Sequence, residues 1–256
     1  MKAKVYDIEG NAVKEIDLPS IFATPYRKEV IARAVISEES KERQPKGAYR
    51  WAGLETSATY VGRKEAYKSL KNRGQAMRPR EFYGGGIPGR VRIIPSSVKG
   101  RRAHPPKPEK KIEEKMNKKE YMLALRSAIA ATANREIVIT RGHKVDVDLP
   151  IIISFNNLDK ATIKTKTFVE FLSKIMPKEL ERAAKKRGRN KKYPKSALLV
   201  CAKDELKFAK AIENIKGVDA VNIDELKVKH LAPGTHAGRV AIYTEKAIEE
   251  MRKWQE

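Results

Sequence analysis

The stretch 197-ALLVC-201 decides the fold, because an unbroken apolar run of this length is typical of a strand buried on both faces of a sheet. Similar short runs rich in β-branched residues recur at EIVIT (136–140), IIIS (151–154), DAVNI (219–223) and RVAIY (239–243). Between these runs apolar residues recur at helical spacing, as at Phe168, Phe171, Leu172 and Ile175. The sequence therefore predicts an α/β fold with a mostly parallel sheet and helices on both faces.

The first part of the chain adds further predicted elements. Strands are predicted at AKVYDI (3–8) and AVKEI (12–16), and a helix with Thr24 as N-cap and Pro25 as its first residue, running to about Arg43. Another helix is predicted from Asn117, with Glu120 at the spacing of a capping box.

The net charge of +23 is concentrated in two segments. Residues 43–110 hold 17 Lys and Arg against 4 Glu, and residues 182–195 hold 8 Lys and Arg and no acid. The first segment also holds 9 of the 15 glycines and 7 of the 13 prolines, so it cannot bury enough apolar surface to offset the entropy of ordering it. We predict an extended basic loop at residues 44–110, inserted into a globular α/β domain of residues 1–43 and 111–256.

Aromatic residues are interleaved with the cations of this loop, which distinguishes it from a flexible linker. They are Tyr49, Trp51, Tyr60, Tyr67, Phe82 and Tyr83. In RNA, phosphates bind cations and unpaired bases stack on rings or guanidinium planes, so this composition favours an RNA partner. A solvated, disordered insertion is the alternative.

The loop also spells G-x-G-x-x-G, at Gly84, Gly86 and Gly89. A dinucleotide site needs such glycines between a buried strand and a helix. Here MRPREF precedes them, Pro88 lies inside the motif, and no helical pattern follows. We interpret the glycines as a turn in the loop.

Signals for catalysis, metals or membranes are weak. The four histidines lie at no metal spacing, Cys201 ends an apolar run, and no nucleophile or phosphate-loop motif is present. No apolar run approaches the roughly 18 residues that span a bilayer, and the N-terminus has no signal-peptide layout. We predict no catalytic residue, metal, organic cofactor or membrane partner, and a cytoplasmic location.

Several blocks resemble the L-four family of large-ribosomal-subunit proteins, archaeal and eukaryotic type. They are RGQA (73–76), GRVRIIPSSVKGRRAHPPK (89–107), RSAIAATA (126–133), RGH (141–143) and DELKVKHLAPGTHAGRVAIYTEKAI (224–248). The resemblance implies a structural, non-enzymatic protein whose internal loop threads into large-subunit rRNA. It further implies that the loop tip helps to line the nascent-peptide exit tunnel, with neighbouring ribosomal proteins and the nascent polypeptide as partners.

Charge and resemblance together give the predicted site. The predicted rRNA-binding residues are Arg50, Trp51, Arg63, Lys64, Arg73, Arg78, Arg80, Arg90, Arg92, Lys99, Arg101, Arg102, His104, Lys107, Lys186, Arg187, Arg189, Lys191 and Lys192. The predicted tunnel-lining tip is Arg73, Gly74, Gln75, Ala76, Met77 and Arg78. Two other functions stay open: an RNA-modifying or nucleotide-dependent enzyme that uses the loop as an RNA clamp, and a non-ribosomal chaperone or mRNA regulator.

Overall fold

A computed structural model describes residues 1–47, 49–82, 89–91, 94–155, 165–186, 188–189, 192–205 and 212–254. Contacts between residues divide the chain into two units. The first, residues 1–42 with 114–256, is called the α/β unit here, and the second, residues 43–113, the basic unit.

The α/β unit contains a six-stranded sheet of order β2-β1-β3-β6-β4-β5. Its strands are β1 (Lys2–Tyr6), β2 (Ala12–Asp17), β3 (Ile151–Ile153), β4 (Leu198–Cys201), β5 (Asp219–Asn222) and β6 (Ala241–Thr244). The β1–β2 hairpin is antiparallel, and every other pairing is parallel. The predicted α/β fold with a mostly parallel sheet is confirmed.

Helices cover both faces of this sheet. They are α1 (Lys28–Lys41), α2 (Lys118–Ala133), α3 (Arg135–Thr140), α4 (Thr165–Ile175), α5 (Pro177–Ala184), α6 (Val228–Leu231) and α7 (Glu245–Lys253). Successive strand residues point to opposite faces. Ile152 and Tyr243 therefore pack with α1, α2 and α7, whereas Ile151 and Ile242 pack with Phe168 and other residues of α4. This burial on both faces explains why β3 and β4 are apolar throughout.

One predicted strand is wrong: EIVIT lies in helix α3. Asn134 precedes this helix, and its Oδ1 accepts a hydrogen bond of 3.0 Å from the backbone N of Glu136, which fixes the helix start. Val138 is the one buried residue of the helix, and Ile139 is 52% exposed. The helix cap and the packing beside the sheet therefore determine the conformation of these β-branched residues, and their intrinsic preference for strands does not.

Two predicted helix starts also need correction. Thr24 follows a 3₁₀ turn at Ser20–Ala23, and α1 begins only at Lys28. The residue before α1 is Arg27, whose backbone N donates a 2.8 Å hydrogen bond to Ser127 Oγ. Asn117 does precede α2, but its side chain makes no capping hydrogen bond, so the predicted capping box is not formed.

The basic unit has no helix or strand among its described residues, apart from one antiparallel bridge between Thr59 and Arg80. Its two ends run close together: a Cβ on Gly53, which has φ +83°, would lie 2.2 Å from the carbonyl O of Arg102. Only glycine allows this approach. That this unit forms an extended loop in RNA stays a prediction, and the predicted turn at Gly84–Gly86 lies outside the described residues.

Candidate nucleic-acid interface

The predicted RNA-binding residues of the basic unit lie almost entirely at its surface. Exposed ones are Arg50, Trp51, Arg63, Lys64, Arg73, Arg78, Arg90, Lys99, Arg101, Arg102, His104 and Lys107. Arg80 is half-buried, and Arg92 lies outside the described residues. A surface of this charge and exposure is suited to a polyanion.

One cavity brings three of these residues together. Arg102, His104 and Lys107 line a space of about 1000 Å³, across from Arg43 and Lys46 at the other end of the unit. Glu109 also lines it and forms a 3.3 Å ion pair with Arg50, in which the two side chains are 70% and 62% exposed. An ion pair this exposed is weak, so a phosphate could displace it at little cost.

Two arginines hold the shape of the basic unit. Arg80 donates hydrogen bonds of 3.2 Å to the carbonyl oxygens of Ala76 and Gly89, and its backbone pairs with Thr59. Arg78 donates a 2.7 Å bond to the carbonyl O of Ser96. Both therefore have structural partners of their own, which sequence reasoning did not anticipate.

The predicted tip, residues 73–78, is exposed throughout. It follows a turn in which the backbone N of Arg73 donates to the carbonyl O of Leu70. Ser69 and Leu70 are buried beside this turn. The tip side chains are therefore exposed, next to a turn whose preceding residues are buried.

The second basic segment lies between α5 and β4. Lys186, Arg189 and Lys192 are exposed, whereas Arg187 and Lys191 lie outside the described residues. The ammonium groups of Lys186 and Lys216 lie 5.3 and 5.4 Å from the ring centre of Tyr193, which is a cation–π arrangement.

A buried polar cluster anchors this segment to the α/β unit. Glu179 accepts hydrogen bonds from His143 Nδ1 (2.7 Å), Ser196 Oγ (2.9 Å) and Arg182 Nε (2.8 Å). Burial would raise the pKa of Glu179, but the bonds from Arg182 and His143 outweigh it and lower the pKa to about 2. Burial lowers the pKa of His143, although Glu179 opposes this effect. His143 is therefore part of the buried packing of this unit.

Arg239 is the largest buried polar side chain and was missed by sequence reasoning. Its guanidinium donates to the carbonyl oxygens of Ser196 (2.7 Å), His230 (3.1 Å) and Ala197 (3.0 Å), and lies 2.7 Å from Asp219 Oδ2. It thus joins the segment before β6 to the residues before β4, to β5 and to α6. In the sequence, the only feature that marks Arg239 is its position at the start of the apolar run RVAIY.

Neither a metal centre nor a membrane segment is found in the described part of the chain. No cluster of three or more His, Cys, Asp or Glu side chains there could hold a metal ion. No helix among the same residues is long and apolar enough to cross a bilayer.

An α/β fold with a highly cationic insertion is typical of the class of proteins that assemble with a polyanion. The model described as "Ribosomal protein L4/L1 family" matches residues 16–254, and the chain belongs to this family. The predicted resemblance is confirmed.

Curated relatives agree with this family. The chain is 41% identical to the large ribosomal subunit protein uL4 of Methanococcus vannielii, with 99% of each chain covered. It is also 41% identical to uL4 of Archaeoglobus fulgidus, again over 99% of each chain. With uL4 of Sulfurisphaera tokodaii the identity is 41%, over 98% of this chain and 94% of the relative. By their names, these relatives are proteins of the large ribosomal subunit. The chain is accordingly a structural protein and not an enzyme, and its location is cytoplasmic.

Proposed function

We propose that the protein binds large-subunit rRNA through the basic unit and through residues 185–195, and thereby stabilises the folded subunit. Neighbouring ribosomal proteins are its further partners. One observation carries the proposal: apart from the half-buried Arg80, the predicted cations of the basic unit that the structure describes are exposed. Residues 43–110 hold 17 Lys and Arg against 4 Glu, so the acids neutralise little of the charge. The family supports the same function.

We further propose that residues 73–78 line the nascent-peptide exit tunnel. The support is that these six residues are all exposed and follow the buried Ser69 and Leu70, with the backbone N of Arg73 bonded to the carbonyl O of Leu70. They include two arginines, which would face rRNA phosphates or acidic side chains of the passing polypeptide.

Substituting Arg101 and Arg102 with Gln together tests the rRNA-binding proposal. We expect affinity for large-subunit rRNA to fall about 10- to 100-fold at roughly 0.15 M salt. The slope of log affinity against log salt should become shallower by about one to two, because each Arg that contacts a phosphate releases about one counterion. Filter binding across a salt series measures both. The matched control is Lys246→Gln with Lys253→Gln, two exposed cations on α7. Equal losses in the two double variants would contradict a specific role of the basic unit.

A photo-crosslinking residue in place of Gln75 tests the tunnel proposal. In ribosomes that carry a stalled nascent chain, we expect crosslinks between position 75 and that chain. The same group at Val98, which is 90% exposed but lies outside the predicted tip, serves as the control and should give none. Crosslinks from position 75 to rRNA alone would show that the tip does not reach the lumen.

A further inference from the structure

A second cationic site lies on the α/β unit, at the edge of the sheet where the parallel strands begin. The segment before β4, the loop 232–239 before β6, the end of α3 and the start of α1 together line a cavity of about 810 Å³. Its lining includes Tyr26, Lys28, Arg141, His143, Lys195 and His236. Ligand pockets of proteins have volumes of roughly 300 to 1000 Å³, so this one is large enough for a nucleotide.

The loop 232–239 is held in place against α3. Gly238 has φ +87°, and a Cβ there would lie 2.8 Å from Ile137 Cγ2 and 3.0 Å from its backbone. The loop can therefore pack directly on the helix only because residue 238 is glycine. Arg141 Nη2 adds a 2.9 Å hydrogen bond to the carbonyl O of Pro233. These contacts bring His236 and Arg141 to the same cavity.

The charges around the cavity are not balanced. Lys195 pairs with Asp219 at 2.7 Å, and Arg182 pairs with Glu179 at 2.5 Å. Lys28 and Arg141 also line the cavity, and among the described residues neither forms an ion pair. Glu136 is the single carboxylate of the lining. The site therefore has an excess of positive charge.

Two buried nitrogen atoms at this site lack hydrogen-bond partners within the described residues. They are Arg141 Nη1 and His143 Nε2, and His143 as a whole is only 3% exposed. Buried polar atoms are usually paired, so unpaired ones call for an explanation. Burial, and then the charges of Arg239 and Arg182, lower the pKa of Arg141 to about 10. An anion beside Arg141 would accept a hydrogen bond from its Nη1 and would stabilise its charged form.

Two planar side chains stand at the same cavity. Tyr26 is 42% exposed, and His236 is exposed as well. Rings beside cations are the arrangement that binds an unpaired base and its phosphate. Enzymes with parallel sheets bind free nucleotides at the carboxyl ends of the strands, whereas this cavity lies at the amino ends. The position favours a nucleotide that belongs to a polymer over a soluble cofactor.

We propose that this cavity binds one unpaired nucleotide of RNA, with its phosphate against Lys28 and Arg141 and its base against Tyr26 or His236. This inference rests on the proposed function, because the RNA is large-subunit rRNA. It adds to that function a specific site on the α/β unit, distinct from the basic unit and next to the second basic segment.

Ultraviolet crosslinking of the full chain to large-subunit rRNA, followed by mass spectrometry, tests the site. We expect RNA adducts on peptides that contain Tyr26 or His236. Lys28→Gln combined with Arg141→Gln should lower rRNA affinity about tenfold and reduce these adducts. Tyr26→Leu should reduce the adducts on its own peptide without changing the salt dependence, because it removes a ring and no charge.

Controls separate the pocket from folding and from net charge. Lys246→Gln with Lys253→Gln removes the same charge elsewhere, and Arg141→Lys keeps a cation at position 141, so both should bind rRNA with nearly wild-type affinity. Thermal melting of each variant identifies any that fails to fold. If a charge variant fails, the adducts of Tyr26→Leu test the site instead.

Three outcomes would contradict the proposal that this cavity binds a nucleotide. If the wild type binds rRNA without adducts at this site, and the Lys28 and Arg141 double variant matches the control, the pocket is wrong while the proposed function stands. If the same crosslinking on whole large subunits joined Tyr26 or His236 to a neighbouring protein and not to rRNA, the cavity would be assigned to a protein partner. If the wild type fails to bind rRNA at all, the proposed function fails and the pocket falls with it.

Discussion

Replacing residues 44–110 with a short Gly/Ser bridge is expected to lower affinity for large-subunit rRNA at least about 100-fold at roughly 0.15 M salt, because most phosphate contacts are lost. The segment carries 16 of the chain's 55 Lys and Arg residues, and most of those that the structure describes are exposed. The slope of log affinity against log salt should fall in parallel. Filter binding of the replaced and full-length chains over a salt series measures both quantities.

The α/β unit should remain folded after this replacement, since its own residues already hold the two ends of the insertion together. Ser37 Oγ donates to the carbonyl O of Glu114 (2.6 Å), and the backbone N of Glu114 donates to Ser40 Oγ (2.9 Å). A bridge from residue 43 to residue 111 therefore spans a short gap. Circular dichroism and cooperative melting are the control for folding. A folded variant with undiminished affinity would show that the basic unit is not the main rRNA-binding element.

Arg239→Ala is expected to lower the free energy of unfolding by about 3 to 5 kcal/mol, which is a large part of the stability of an ordinary domain. The substitution removes a donor from three carbonyl oxygens and the buried cationic partner of Asp219. Arg239→Lys should recover only part of the loss, because an ammonium group cannot reproduce the planar fork. Urea unfolding of the full-length variants measures the change.

Arg33→Ala is the matched control for this substitution. Arg33 forms a 2.8 Å ion pair with Glu120, but its side chain is 62% exposed. Exposed pairs contribute less than about 1 kcal/mol. If Arg239→Ala cost no more than Arg33→Ala, the buried hydrogen bonds would not be holding the three segments together.

The strands were predictable wherever burial on both faces left an apolar run. The runs at 151–154, 197–201, 219–223 and 239–243 all overlap observed strands, because a parallel sheet between two helical layers admits few polar side chains. EIVIT has the same composition but forms α3, where Ile139 is largely exposed. Composition over five residues cannot distinguish these cases, since the neighbouring Asn134 cap and the packing decide them.

The candidate site was predictable only in part, for a physical reason. Charge density along the chain located the basic unit and the segment 182–195, because those cations are contiguous in sequence. The proposed nucleotide pocket is different: Tyr26, Arg141 and His236 are far apart in sequence and meet only once α1, α3 and the loop before β6 are in place. Likewise, the partners of Arg239 lie on three segments, so no local pattern marks its role.

The strand order has a consequence for how the chain folds during synthesis. β6, the last strand to be made, lies between β3 and β4 and is the element that joins the two halves of the sheet. Until residues 241–244 have left the ribosome that makes them, the sheet cannot close. The cationic segments are therefore released well before a finished sheet exists. Such long-range pairing is slow, so the edges of β3 and β4 stay unpaired, and prone to aggregation, until β6 is in place.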